Sequence, residues 1–300
     1  MPIHVQNRFT DLIKTNKGME KDLEKKVTQA IELLKKAGRL ADAMKQPLEI
    51  SYSGGKDSDI ILALAKMAGV NFRAIYKNTT IDPPGTISHV KANGVDVIQP
   101  AKTFAQLIQQ KGFPNRLRRF CCYYLKEYRI GDCAVQGIRS CESVKRQARY
   151  KEPVVCRLYR KNEKKTVQIF LPILNWSNKD VENFIKEYKI SCHKLYYDEK
   201  GVFNPTKRLG CMGCPMKSDN GLNDFKRNPR LVRFWIANGL VWWNTHKLKK
   251  TKRKFPTVYD VFVRNVFFND YESYKLAVNG LFGRMDCKEA LEKFFAIKLP

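Results

Sequence analysis

Short apolar runs alternate with segments of helical period through most of the chain. Leu48–Tyr52, Asn71–Lys77, Asp96–Gln99 and Cys133–Ile138 read as strands. Gln168–Ile173 reads as a further strand, or as an edge segment because Pro172 cannot donate to a ladder. Between them, Asp59–Ala68 reads as an apolar helix closed by Gly69, and Thr86–Ala92 and Ala101–Lys111 as further helices. Ser177-Asn178-Lys179-Asp180 is a capping box that opens a helix with Val181, Phe184, Ile185 and Tyr188 on one face. Ahead of the first strand, residues 17–46 form an amphipathic pattern with Leu23, Val27, Ile31 and Leu34 at helical spacing and a break at Gly38. Beyond about residue 218 the pattern is helical and basic. This alternation predicts an α/β fold: a parallel sheet sandwiched by helices, with helical additions at both ends and ligands at the carboxyl ends of the strands. Three ranges follow: a helical segment over 1–46, a nucleotide-binding domain over 47–218, and a basic helical region over 219–300.

The first strand runs into Ser53-Gly54-Gly55-Lys56-Asp57-Ser58, and a helix follows at once. At such a turn the first backbone N–H groups of the helix point into one concavity and the helix dipole favours an anion. Gly54 and Gly55 allow close backbone approach, Ser53 and Ser58 offer hydroxyls, and Lys56 adds a full charge. An ordinary glycine-rich turn would not need this combination, so the loop is read as a phosphate site. Neither G-x-x-x-x-G-K-[ST] nor G-x-G-x-x-G follows this strand, which removes the two commonest phosphate-loop classes.

Charge changes the picture further. The 300 residues carry 56 Lys and Arg against 29 Asp and Glu, a net charge of +27 that points to a polyanionic partner. The excess concentrates between Phe225 and Asn265, where eleven basic residues face the single acid Asp260 and aromatics such as Trp235, Trp242, Phe255 and Tyr259 interleave. DNA or RNA contact is the expected role; a solvated basic face over a helical aromatic core is the alternative. The sequence has no signal-peptide pattern and no apolar run of membrane-spanning length, so the expected compartment is the cytoplasm, without a membrane partner.

The nine cysteines are an odd number, which suits reduced thiols, metal ligation or redox chemistry better than a disulfide framework. Cys121-Cys122 and the C-x-x-C pair Cys211 and Cys214 could supply four thiolates to a [4Fe–4S] cluster, with tetrahedral zinc as the runner-up. Adjacent cysteines reach one small ion awkwardly, while a cubane has corners further apart. Cys121 and Cys122 as buried small hydrophobes remain the bland reading, and Cys192 could replace one of them. A third set, Gly137-Ile138-Arg139-Ser140-Cys141-Glu142-Ser143-Val144-Lys145-Arg146, leaves a strand and enters a helix. Arg139 and Arg146 suit phosphate or sulfate, and Glu142 can orient an arginine.

In order, S-G-G-K-D-S, Asn78-Thr79 with Asp82-Pro83-Pro84, Arg119-Phe120-Cys121-Cys122 with Leu125-Lys126, G-x-R-x-x-E-S and Gly210-Cys211-x-x-Cys214-Pro215 resemble the phosphoadenylyl-sulfate-reductase family of the PP-loop adenine-nucleotide alpha-hydrolases. The resemblance covers roughly residues 47–218 and is closest to the branch found in DNA phosphorothioation enzymes and mobile elements. It implies a PP-loop (HUP-like) fold that binds ATP, phosphoadenylyl sulfate or adenylyl sulfate. It further implies Lys56, Asp57 and Arg139 at catalytic positions, and Ser53, Gly54, Gly55, Ser58, Thr79, Gly137, Glu142, Ser143 and Arg146 around the nucleotide. A [4Fe–4S] cluster on the four cysteines is implied likewise. The reductases carry a nucleophilic cysteine in a C-terminal E-C-G-x-H; the only late cysteine here is Cys287, in Met285-Asp286-Cys287-Lys288-Glu289, without that glycine or histidine. The expected activity is therefore ATP alpha–beta cleavage with Mg²⁺, coupled to sulfur transfer or another modification of a nucleic acid, with a sulfur-donor protein as partner. A sulfonucleotide reductase is the alternative enzyme, and a nucleotide- or nucleic-acid-binding subunit of a defence system is the non-catalytic one.

Overall fold

The helix Lys21–Ala43 buries Leu23, Val27, Ala30, Leu34, Ala37 and Ala41 along one face, the stripe expected of an amphipathic helix. The computed structural model describes residues 21–127, 131–158, 166–280 and 283–300, so positions 17–20 of the expected helix lie outside the described residues. Its buried face joins the main core with Leu48, Ile50, Ile60, Ile61, Leu64 and Phe184.

Six strands make one sheet: β1 (Leu48–Tyr52), β2 (Phe72–Lys77), β3 (Asp96–Ile98), β4 (Cys133–Val135), β5 (Val154–Leu158) and β6 (Thr166–Phe170), in the order β3-β2-β1-β4-β6-β5. Every neighbouring pair is parallel except β5–β6, which is antiparallel. The order reverses around β1, between β2 and β4, so the crevice for a ligand opens at the carboxyl end of β1, where Ser53–Ser58 begins. The sheet thus has the expected parallel α/β character with one antiparallel edge. β6 is not an edge: it pairs with β4 and β5 and stops at Phe170, leaving Pro172 outside the ladder. β5 carries the edge instead; its run Val154–Leu158 lacks apolar/polar alternation, and Val154 is exposed.

The chain forms two compact units that depart from the three contiguous ranges expected. The first takes the chain up to Asn78, Pro84–Gln99 and Glu127–Leu209; the second takes Thr79–Pro83, Pro100–Lys126 and Gly210–Pro300. The second unit is helical apart from a two-residue antiparallel pair, β7 (Asn279–Gly280) with β8 (Gly283–Arg284). Its core is aromatic. Phe113, Phe225, Trp235 and Phe262 meet edge-to-face or stacked with centroids 5.3–6.3 Å apart. Gly112 and Gly239 are forced by this packing, because a Cβ at Gly239 would stand 2.2 Å from Phe113 and one at Gly112 2.7 Å from Trp242. Trp235, Trp242 and Tyr259 are therefore core residues, which is the alternative reading of that aromatic spacing. Among the described residues no helix is long and apolar enough to cross a membrane.

Candidate functional site

β1 ends at Tyr52 and the helix Lys56–Ala68 starts three residues after Ser53. Gly54 makes the turn in the left-handed region, φ +77°, where a side chain would be strained. Gly55 caps the helix with no side-chain cap bond, so the anion-facing end of the dipole is left to a ligand. The two serines brace the loop: Ser58 Oγ donates to the Gly55 carbonyl at 2.7 Å, and Ser53 Oγ donates to Ser58 Oγ at 3.3 Å.

Lys56 and Arg139 meet on one carboxylate. Arg139 Nε donates to Asp57 Oδ1 at 2.7 Å and Lys56 Nζ donates to Asp57 Oδ2 at 3.2 Å. Both cations are buried, at 1% and 2% exposed. Arg139 also donates from Nη1 to Asn178 Oδ1, the Trp176 carbonyl and Cys141 Sγ. The capping box at Ser177 and Asp180 is present as expected, and it fixes the helix start that presents Asn178. Gly137 lets this happen: a Cβ there would stand 2.8 Å from the Asp57 carbonyl oxygen. Burial lowers the Lys56 pKa, with Asp57 opposing.

Around this triad lie Tyr196, Lys207 and Arg208, which carry no sequence motif, and the motif residues Glu142, Ser143 and Arg146. The Tyr196 ring sits 5.2 Å beneath Lys56 Nζ, and its hydroxyl accepts from the Leu209 amide at 3.2 Å and faces the Lys56 amide. Lys56 Nζ also donates to the Lys207 carbonyl at 3.3 Å. Arg208 donates to the Glu142 carbonyl at 2.6 Å, and Arg146 pairs with the Glu142 carboxylate. Ser143 accepts from the Arg146 amide and so acts as a helix cap. Lys56, Asp57, Arg139 and Gly137 are thus brought together, while Glu142 and Arg146 form a neighbouring pair with Arg208. Two buried cations share one carboxylate, which leaves a net positive charge beside an open helix N-terminus. Such an arrangement is electrostatically suited to an anion.

The second unit holds Cys121, Cys122, Cys211, Cys214 and Cys287. Cys121 and Cys122 lie in the first turn of the helix Phe120–Leu125. Cys211 and Cys214 flank Gly213, whose φ of +67° and contact with the Phe225 ring require glycine. The Met212 amide donates to the Ile81 carbonyl at 2.8 Å, and Cys211 Sγ lies 3.7 Å from Thr79 Oγ1. Thr79, expected beside the nucleotide, is thus placed against Cys211. Cys121 donates its S–H to Cys122 and, together with Arg119, lowers the Cys122 pKa. That same bond, burial and the charges of Cys122, Cys211 and Cys214 raise Cys121, so the four sulfurs share one neighbourhood. Burial pushes Cys211 up to about 11 against the pull of Lys126. Lys126 is exposed, and Cys211 and Asp82 outweigh desolvation and raise its pKa. The donor set of four thiols with nearby cations fits a four-thiolate cluster. As they stand, no three His, Cys, Asp or Glu side chains among the described residues converge to hold a metal ion.

Cys287 is elsewhere in this unit. It opens the helix Cys287–Phe295, is 3% exposed, and points its thiol at Asp260 Oδ1, 3.2 Å away. Burial and that carboxylate push its pKa up to about 12. Asp260 also receives Tyr274 and Arg284, so this is a saturated structural knot.

Two uncharacterized proteins of Methanocaldococcus jannaschii are similar to the chain. MJ0066 is 26% identical over 77% of this chain and 48% of its own length. MJ0973 is 29% identical over 76% of this chain and 56% of its own length. The chain thus spans about half the length of the curated relatives it matches. Among solved structures, Candida glabrata FMN adenylyltransferase in complex with FMN and the ATP analog AMPCPP gives a TM-score of 0.41 at 15% identity, covering 64% of this chain and 66% of that one. Phosphoadenylyl-sulfate reductase from Candida auris, as a phosphate complex, gives 0.38 at 13% identity, covering 65% of this chain and 97% of that one. The model of the phosphoadenosine phosphosulfate reductase domain matches residues 47–217, more than half of the chain. The chain belongs to the phosphoadenosine phosphosulfate reductase domain family.

Proposed function

We propose that the first unit binds ATP and cleaves it between the α and β phosphates, in service of sulfur transfer to a nucleic acid. One observation carries the reading: two buried cations, Lys56 and Arg139, share Asp57 at an open helix N-terminus. In the reaction an acceptor oxygen attacks the α-phosphorus, the bond to pyrophosphate breaks, and both electrons leave with pyrophosphate. Loop amides and Lys56 take up that negative charge. Arg139 does not reach for the leaving group in this arrangement. It positions Asp57, which sets Lys56, and Arg146 and Arg208 are the cations left for the outer phosphates. Mg²⁺ enters as the nucleotide's own complex, since both Asp57 oxygens are already taken. A sulfur nucleophile from a donor protein then displaces AMP from the adenylated acceptor.

Cys121, Cys122, Cys211 and Cys214 would hold a [4Fe–4S] cluster, which supplies iron sites for sulfur or electron traffic. The saturated knot around Cys287 favours this reading over a reductase whose nucleophile is the late cysteine. The nine free cysteines suit the cytoplasm. The deciding experiment measures pyrophosphate released from ATP, and sulfite released from phosphoadenylyl sulfate, by wild type and Lys56→Ala. Pyrophosphate lost in the variant supports the proposal. Sulfite alone makes the chain a reductase, and neither product makes it a binding subunit.

A further inference from the structure

The second unit holds a cavity of about 210 Å³ that none of the motifs uses. Arg118, Lys254 and Arg264 line it, with Phe255 and Tyr271 as partly exposed aromatic walls and Trp242 beneath. No acidic residue lines it, and none of the three cations is ion-paired with a carboxylate among the described residues. Their hydrogen bonds go to neutral groups: Arg118 to the Lys111 carbonyl, Arg264 to Asn265 and the Asn269 carbonyl. Asp270 feels the charge of Arg264, but its oxygens take the amide and hydroxyl of Ser273. Lys254 Nζ stands 5.2 Å over the Tyr271 ring, so cation and aromatic face are presented together.

Asn115 and Arg118 carry the chain on from the cavity. Asn115 closes a tight loop by accepting the amides of Leu117 and Arg118, which thrusts Leu117 out to 90% exposure between Arg116 and Arg118. Tyr123 and Tyr124 follow, both exposed and edge-to-face at 5.1 Å. Arg118 precedes Cys121 by three residues, so the cavity rim and the first cysteine lie within about 11 Å by chain length alone.

We infer that this cavity takes one nucleotide of a single-stranded polynucleotide, its phosphates on Arg118, Lys254 and Arg264 and its base against Tyr271 and Phe255. The inference rests on the reading that the acceptor is a nucleic acid, and adds where the strand binds and in what form. Cations without acidic partners meet a backbone of negative charge, and an aromatic wall meets an unpaired base, which a duplex does not offer. The strand then continues over the loop at residues 115–119 toward the cysteines.

The test is fluorescence anisotropy of the full chain with labelled DNA and RNA 20-mers, single-stranded and duplex, across a salt series. Arg118→Ala and Lys254→Ala should each lower single-strand affinity and reduce the salt slope by about 0.7 per contact. Tyr271→Ala should weaken binding about fivefold or more with the slope unchanged, while Tyr271→Phe, which keeps the ring, should bind as wild type. Whether DNA or RNA gives the larger Tyr271 effect identifies the natural strand. The cavity assignment is overturned if Lys249→Ala/Lys250→Ala weakens binding while Arg118→Ala and Tyr271→Ala do not, or if duplex binds as tightly as single strand. Either result leaves nucleic-acid binding standing. Absence of binding to every polynucleotide overturns both the assignment and the reading beneath it.

Discussion

Arg139 Nε donates to Asp57 Oδ1 across 2.7 Å, joining the end of one central strand to the helix that follows the other. The bond makes Asp57 the hinge of the site's electrostatics, because its second oxygen holds Lys56. Replacing Asp57 with Asn leaves two buried cations without their counter-ion. Removing one member of a buried pair costs about 3–5 kcal/mol. Thermal unfolding should show that loss, and saturating pyrophosphate should recover more stability in Asp57→Asn than in wild type. Equal gains in both proteins would mean that the anion does not see these cations.

Gly137 gives a steric test of the same contact. Its Cβ position lies 2.8 Å from the Asp57 carbonyl oxygen, and that oxygen is backbone. Gly137→Ala should cost about 1–3 kcal/mol through overpacking and should weaken ATP binding by displacing the helix start. Calorimetry on the folded variant checks both. Wild-type affinity with wild-type stability would dissociate Gly137 from the site.

The pH dependence of nucleotide binding follows from Lys56. Burial lowers its pKa, and only the ammonium form attracts phosphate. Affinity should therefore be full at neutral pH and fall as pH rises, beginning below the ordinary lysine range. Lys56→Arg should flatten the fall, since a guanidinium stays charged. Titrating ATP binding between pH 6 and 10 reads this directly. A profile that is flat over this range in wild type counts against Lys56 as the phosphate cation.

Anaerobically purified protein should contain iron and absorb near 400 nm if the four thiols hold a cluster. Cys→Ser at position 121, 122, 211 or 214 should each abolish the signal. Cys287→Ser should keep both the iron and the catalytic rate, because that thiol is buried against Asp260 with its pKa pushed up. Zinc in place of iron would make this a structural metal site. A Cys287→Ser protein without activity would restore the late cysteine as nucleophile.

The loop and its flanking elements were legible because their chemistry is local: strand, glycines, lysine and helix all lie between Leu48 and Ala68. The capping box at Ser177 was legible for the same reason. Tyr196, Asn178 and Arg208 were not: Asn178 and Arg208 reach their partners over 39 and 66 positions, Tyr196 meets Lys56 through its ring face, and each residue type is common on surfaces. The interleaved units were hidden because a linear reading assigns contiguous ranges, whereas the apolar face of Phe104–Lys111 packs with the helix Pro229–Thr245. Aromatic spacing in the basic stretch misled in part. Trp235, Trp242 and Tyr259 serve the core, and Phe255 is half-buried against it.

The interleaving also sets an order of events at the ribosome. Cys121 and Cys122 are synthesised long before Cys211 and Cys214, and translation at about 5–20 residues per second puts a delay on the order of 5–20 s between the pairs. For that interval the early thiols and the apolar face around Leu107 and Ile108 stand without the helix that covers them. A nascent chain in this window is exposed to oxidants and to chaperones alike. Any metal loading must wait for the later cysteines, so holoprotein yield should depend on how fast the codons between Cys122 and Cys211 are read.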